Sequence, residues 1–254
     1  MVKGSCRLLL LLAGVLSPVA AQAATADIAC MAPRAVWSPL PDALRIGPDA
    51  GRPWTIVALG SSSTAGIGAS DPRFTYPAQL ERLLAARLPG RRIVVVNKGI
   101  GGETVADNLA RLGGDVLALQ PDLVIWQVGT NDALRGLPPA DVRAGIVDGV
   151  ARMRAAGARV VLMDPQPLDP APPELAAMAA EVHEAARDSG AGLLPRGALM
   201  RYWIDSGAVP AAALIGGDHL HMTDTGYLCL AERVADALVG GGDMAAVSDP
   251  AAAP

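Results

Sequence analysis

From residue 54 onward, short apolar runs alternate with stretches whose apolar positions recur three and four residues apart. The runs are Trp54–Gly60, Arg92–Asn97, Leu123–Gly129 and Arg159–Asp164, with a weaker fifth from Ala191 to Pro195. Their β-branched residues follow one another without polar alternation, which predicts strands covered on both faces. The stretches between them, Tyr76–Arg87, Thr104–Leu119, Pro139–Ala156, Pro173–Ser189 and Thr223–Val239, predict amphipathic helices. Pro139 suits a first helical turn, and Gly157 and Gly190 follow the last periodic residues of their helices. Strand, helix and strand in repetition require crossover connections. The expected fold is therefore a three-layer α/β/α sandwich around a central, mostly parallel five-stranded sheet. No repeat and no internal linker divides residues 54–241.

The two ends fall outside this scheme. Lys3 and Arg7 precede an apolar run from Leu8 to Leu16, and Ala21-Gln22-Ala23 offers a small-residue cleavage site, with Ala24-Thr25-Ala26 a second choice. That is the pattern of an export signal over residues 1–23; the alternative is an uncleaved anchor, although the run is short for a membrane span. Residues 24–53, with five prolines, read as an extended lead-in over the surface, and residues 242–254 as a disordered tail. Export would leave Cys30 and Cys229 in an oxidising compartment. They could pair, pinning the lead-in to the last helix, or remain two free thiols; spacing does not decide.

Composition narrows the function. Of 254 residues, 51% are apolar, but 48 are alanine and eight aromatic, so much of the apolar fraction is small helix-packing side chains. The formal charge is −4, and becomes −6 when Lys3 and Arg7 leave with the signal. A nucleic-acid binder needs the opposite balance. Recurrent apolar runs exclude a largely disordered chain, and a single long apolar stretch excludes a multi-span membrane protein.

In an open parallel sheet, ligands bind beyond the C-terminal ends of the strands. Four polar turns lie there: Gly60-Ser61-Ser62-Ser63-Thr64 after the first strand, Asn97 to Thr104 after the second, Gly129-Thr130-Asn131-Asp132 after the third, and Gly217-Asp218-His219-Leu220-His221 before the last helix. Each alone is ordinary: a serine turn is usually a helix cap, an Asn-Asp pair a turn, and a lone histidine a packed or solvated residue. Together they hold the parts of an acyl-transfer site. A serine hydroxyl needs an imidazole to take its proton, and the imidazole needs a carboxylate to set its tautomer. Glycine N–H groups and an asparagine amide can hold an oxyanion. Asp218 and His221, three residues apart, can meet on one turn.

The order of Ser, Gly, Asn and His in these turns resembles the SGNH superfamily, the GDSL esterases and lipases, over roughly residues 54–235. The resemblance implies a flavodoxin-like SGNH hydrolase fold, Ser62 as nucleophile, Asp218 and His221 as its acid–base partners, and Ser62, Gly102 and Asn131 as oxyanion donors. The family's aspartate before the nucleophile is Ser61 here, which leaves three adjacent serines and makes Ser62 a matter of register with Gly60. His219 is the competitor to His221, and His183, between Glu181 and Glu184, reads as lying on a solvated helix face. No cysteine, histidine and carboxylate spacing implies a metal, and Gly99–Gly102 lacks the Gly-Lys-[Ser/Thr] of a phosphate loop, so no cofactor is expected. The implied activity is that of an exported serine esterase on a small-molecule, glycan or lipid acyl ester. Transfer of the acyl group to an envelope polysaccharide is the alternative, and a ligand-binding protein without turnover a distant one. Segments Ala133–Ala140, Pro165–Pro173 and Met200–Gly217 are expected as loops that wall the site, and their small side chains favour short acyl groups.

Overall fold

The computed structural model describes Met1, residues 30–47 and residues 51–240. The proposed signal and tail lie outside the described residues. Five strands, β1 (Trp54–Gly60), β2 (Ile93–Gly99), β3 (Leu123–Gln127), β4 (Arg159–Met163) and β5 (Gly192–Leu194), form one sheet in the order β2-β1-β3-β4-β5 with every pair parallel. The helices are α1 (Ser62–Ala65), α2 (Tyr76–Arg87), α3 (Val105–Arg111), α4 (Thr130–Leu134), α5 (Pro139–Ala155), α6 (Leu175–Ser189), α7 (Arg196–Asp205), α8 (Ala211–Leu214) and α9 (Asp224–Val239).

Successive strand residues point to opposite faces and so feed two cores. Ile56, Ala58, Leu123, Ile125, Val161 and Met163 pack with α2, α7 and α9. Val57, Leu59, Val124, Trp126, Val160 and Leu162 pack with α3, α5 and α6 on the other face. This is the expected three-layer sandwich. The edge strand β2 departs from the expectation of burial on both faces, since only Ile93 is buried. Its outward backbone donors are met by side chains instead: Glu81 accepts from Val95 N–H at 2.6 Å and Asn97 from Gly99 N–H at 2.9 Å. An edge so capped is a poor template for another strand.

Three further differences have local causes. The helix expected over Thr104–Leu119 ends at Arg111 and continues as a wide turn over Leu112–Val116, where Gly113-Gly114 carries little helical preference. Met200–Gly217 is not a loop, because α7 and α8 occupy much of it, with Trp203 buried in the core. The described part of the lead-in turns at residues 33–37 and forms a short 3₁₀ helix at Asp42–Leu44, and it is not merely on the surface. It buries Cys30, Ala32, Trp37 and Leu40, and Trp37 Nε1 donates to the Arg233 carbonyl at 2.9 Å. Cys30 and Cys229 are disulfide-bonded, joining this segment to α9.

The chain runs from β1 outward to β2 and then returns to β3 on β1's other side. The strand order therefore reverses between β1 and β3, the position at which an open parallel sheet takes its ligands. Among the described residues no helix is long and apolar enough to cross a membrane.

Candidate active site

The serine turn is built by close backbone approach. A Cβ at Gly60 would lie 2.5 Å from Thr64 Oγ1 and 2.8 Å from Gln127 Oε1, so only glycine lets β1 turn this tightly into α1. Gln127, near the end of β3, accepts from Ser61 N–H at 2.9 Å and Ser61 Oγ at 3.0 Å, and from Thr64 Oγ1 at 3.4 Å. Ser63 Oγ donates instead to Gln166 Oε1 at 3.2 Å, and Ser61, Ser63 and Thr64 are buried, while Ser62 is partly exposed. The local structure thus separates the three serines: the outer two are engaged within the protein, and Ser62 alone is left partly exposed. Its N–H is in the first turn of α1, where donors lack helical acceptors, and it has no acceptor among the described residues.

The second turn abuts the first. Ile100 N–H donates to the Gly60 carbonyl at 3.1 Å, and a Cβ at Gly101 would sit 4.0 Å from Ser62 Cβ. Gly102 adopts φ +80°, a left-handed conformation, and its N–H has no acceptor among the described residues. Thr104 then starts α3 with a reciprocal cap: its hydroxyl accepts from Asp107 N–H at 3.3 Å, and Asp107 accepts from Thr104 N–H at 2.9 Å. Arg111 clamps Glu103 through Nε and Nη2, and the same Nη2 donates to the Lys98 carbonyl at 2.8 Å. Asn108 links Glu103 to the buried Trp126 indole, with bonds of 2.6 and 2.8 Å.

On α4, Asn131 Nδ2 donates to the Glu103 carbonyl at 2.8 Å. An amide carries two hydrogens, so this bond fixes its plane and leaves one for a ligand. Its neighbour Asp132 is buried and accepts from Val105 N–H at 3.1 Å; burial raises its pKa despite the backbone donors around it.

The fourth turn brings together Asp218 and His221, the expected acid–base pair. His221 Nδ1 and Asp218 Oδ2 are 2.6 Å apart, and Asp218 Oδ1 accepts from Leu220 N–H at 3.1 Å and His221 N–H at 2.9 Å. These bonds hold the Asp218 carboxyl down to a pKa of about 2. His219 stands at φ +58° and makes no bond to Asp218, so of the two histidines it is His221 that Asp218 holds. Ser62 Oγ and the His221 ring make no hydrogen bond to each other among the described residues. The segment that follows α1 does reach the fourth turn and α9: a Cβ at Gly68 would lie 3.0 Å from His221 Cβ, and Tyr227 Oη donates to the Ile67 carbonyl at 2.7 Å. In ligand-free sites such bonds are commonly long and close on substrate.

His183 keeps 41% of its side chain exposed, in keeping with the solvated-face reading, but it also has a buried partner. Its Nε2 lies 2.9 Å from Oδ2 of the buried Asp164, whose Oδ1 accepts from Gly197 N–H at 2.8 Å. Asp164 also faces the buried Arg196, and burial lowers that guanidinium to a pKa of about 10. Sequence reasoning missed this cluster, and also Gln127 and Gln166. Gln127 had a signal, a polar residue inside an apolar strand. Gln166 had none. Beside the fourth turn opens a mostly apolar cavity of about 550 Å³, walled by Pro167, Leu168, Ile204 and Ile215 with His219 at its rim. A larger cavity, about 790 Å³, lies at the opposite sheet edge between the lead-in and the start of β4.

Comparison with known proteins gives a consistent picture. The Non-GDSL lipase-like family matches residues 29–243. Esterase TesA of Pseudomonas aeruginosa is 36% identical over 109 residues, which are 43% of this chain and 53% of that protein. An arylesterase of Vibrio mimicus is 32% identical over 114 residues, 42% of this chain and 52% of its own length. The chain thus spans about half the length of these curated relatives. An acetylxylan esterase of Geobacillus stearothermophilus is 48% identical over 60 residues, 24% of this chain and 27% of that one. The crystal structure of TesA superposes with a TM-score of 0.62 at 28% identity, covering 72% of this chain and 97% of the other.

Proposed function

The chain belongs to the non-GDSL lipase-like family of SGNH/GDSL hydrolases, and from that membership we propose that it is an exported serine esterase acting on short-chain acyl esters. The observation that carries the reading is the Asp218–His221 pair, 2.6 Å apart on a turn packed against the segment that follows the Ser62 helix. Asp218 keeps Nδ1 protonated, which leaves Nε2 free to act as base. His221 takes the Ser62 proton as Oγ attacks the acyl carbon. The oxyanion that forms is held by Ser62 N–H, Gly102 N–H and the remaining Asn131 amide hydrogen. On collapse, His221 returns the proton to the departing alcohol. Water, activated by the same imidazole, then attacks the acyl-serine and releases the acid. The chemistry calls for no cofactor.

Export is supported by the N-terminal pattern of Lys3, Arg7, Leu8–Leu16 and Ala21-Gln22-Ala23, and by the disulfide, which suits an oxidising compartment. A second reading keeps the site and narrows the substrate to acetylated sugars, with hydrolysis or transfer of the acetyl group to a glycan. The local similarity to an acetylxylan esterase favours it.

Turnover of p-nitrophenyl esters from acetate to laurate tests the proposal, with Ser62→Ala as control. The expected result is fastest turnover of the shortest esters and a loss of at least about 10⁴-fold in the variant. A folded Ser62→Ala protein with wild-type turnover contradicts the assignment. Mass analysis of acetyl-xylan products, with and without a free sugar acceptor, separates hydrolysis from transfer.

A further inference from the structure

The proposed nucleophile and acid–base pair stand on turns that are 156 residues apart in the chain, from Gly60–Thr64 to Gly216–Thr223. One buried side chain touches both. Gln166 Oε1 accepts from Ser63 Oγ at 3.2 Å, and Gln166 Nε2 donates to the Leu220 carbonyl. Ser63 immediately follows Ser62, and Leu220 immediately precedes His221. A carbonyl can only accept, so the amide nitrogen must face Leu220 and the oxygen is left for the hydroxyl; both ends are used in one orientation.

Gln166 is also held from behind. It leaves β4 between Pro165 and Pro167, whose rings fix their own φ and restrict their neighbours. Two residues before it, Asp164 is tied to Gly197 N–H and to His183. The side chain is 1% exposed, so water cannot replace either bond without opening the site. By contrast, the Asp218–His221 turn is otherwise held mainly by its own bonds, by Gly216 N–H to the His221 carbonyl at 2.8 Å, and by a single bridge between Ile215 and Met222.

From this geometry we infer that Gln166 is a positioning residue: a clasp that sets the distance between the Ser62 and His221 turns. The inference rests on the proposed roles of Ser62 and His221. Gln166 touches no reacting atom. It acts through the neighbours on either side, so its loss should slow the chemical step without weakening substrate binding.

The experiment combines three variants with two readouts. Gln166→Leu removes both bonds at similar size, Gln166→Glu keeps an acceptor for Ser63 but sets an oxygen against the Leu220 carbonyl, and Ser63→Ala removes the hydroxyl alone. Turnover of p-nitrophenyl acetate is measured together with deuterium uptake of the peptide spanning residues 215–223. Gln166→Leu and Gln166→Glu are expected to lower kcat about 10- to 100-fold with KM within about twofold, the cost of a displacement near 1 Å. Amide exchange in 215–223 should quicken at least about fivefold, while exchange in β1 and β3 stays as in the wild type. Ser63→Ala, the mildest change, should lower kcat a few-fold, and adding it to Gln166→Leu should cost nothing more, since both break the same link. Wild-type kcat in Gln166→Leu, or unchanged exchange in 215–223, overturns the inference. If Gln166→Leu fails to fold, Ser63→Ala with wild-type kcat and exchange does so instead. Exchange reads the clasp whether or not the esters are substrates, so inactivity of the wild-type protein would count against the esterase reading alone.

Discussion

Two aspartates at the same edge of the sheet have opposite fates. Asp132, on the side of β1 and β3, is buried, and its pKa is raised by that burial. Asp218, on the last turn before α9, has a side chain 52% exposed and a pKa held down to about 2 by the His221 and Leu220 donors. The difference extends to the regions around them. The serine and asparagine turns grow from central strands and are fixed by Gln127, Glu103, Arg111 and Asn108, each with more than one partner or a buried one. The Asp218–His221 turn carries little of the core and is held by its own carboxylate and by Gln166. The nucleophile half is thus part of the fold, and the acid–base half is an attachment to it. Changes in the first should cost stability and activity together, whereas changes in the second should cost activity with little loss of stability.

The largest effect that separates them is expected from Asp218→Asn. It should lower kcat about 10³- to 10⁴-fold through loss of the tautomer-setting carboxylate, with a thermal midpoint close to wild type. A large fall in the midpoint would break the distinction. Next comes removal of the Cys30–Cys229 bond, which closes a span of 199 residues. Replacing both cysteines by serine should cost about 2–5 kcal/mol in denaturant unfolding and leave kcat unchanged, because the bond joins the lead-in to α9 away from the four turns. Gly99→Ala probes the nucleophile half directly. Its Cβ would fall 2.1 Å from Ala65 N and 2.5 Å from the Thr64 carbonyl carbon, both backbone atoms that cannot step aside. The expected cost is about 1–3 kcal/mol, with a fall in kcat as the serine turn shifts.

The smallest effect is in pH dependence. Asp218, lowered in the folded state, stabilises the fold above the ordinary carboxylate pKa of about 4 and loses that contribution as pH falls through about 2. Asp132, raised, has the reverse sign: its contribution is present at low pH and is lost as pH rises through its folded value. Urea midpoints for wild type and Asp218→Asn should therefore differ by a small, constant amount above pH 4, since the carboxylate is half exposed, and converge toward pH 2. A difference that persists unchanged at pH 2 would contradict the lowered Asp218.

Much of the fold was legible in sequence because long elements announce themselves. α2 matches its expected range, Tyr76–Arg87, and Gly190 ends α6 at φ +66° as its position suggested. The short helices α1, α4 and α8 span four or five residues, too few for a 3.6-residue period to register. α7 was hidden for another reason: its first residue, Arg196, is a charged side chain that the fold buries, so pattern reading took the region for a loop. In the site, Asp218 and His221 were readable because three residues on one turn bring them together. Gln127 and Gln166 reach partners 54 to 103 residues away, and nothing local in a sequence encodes such a meeting. The pairing of His183 with Asp164 was missed likewise, since it joins a strand end to a helix across a crossover.

The central claim is that Ser62, and neither of the serines beside it, is the nucleophile that His221 activates. A fluorophosphonate probe forms a stable adduct only with an activated serine, so digestion and fragment sequencing after labelling reads the site directly. The account predicts one adduct, on Ser62, formed rapidly in the wild type and at least about 10³-fold more slowly in His221→Ala. An adduct on Ser61 or Ser63, or labelling of Ser62 at an unchanged rate in His221→Ala, would contradict it.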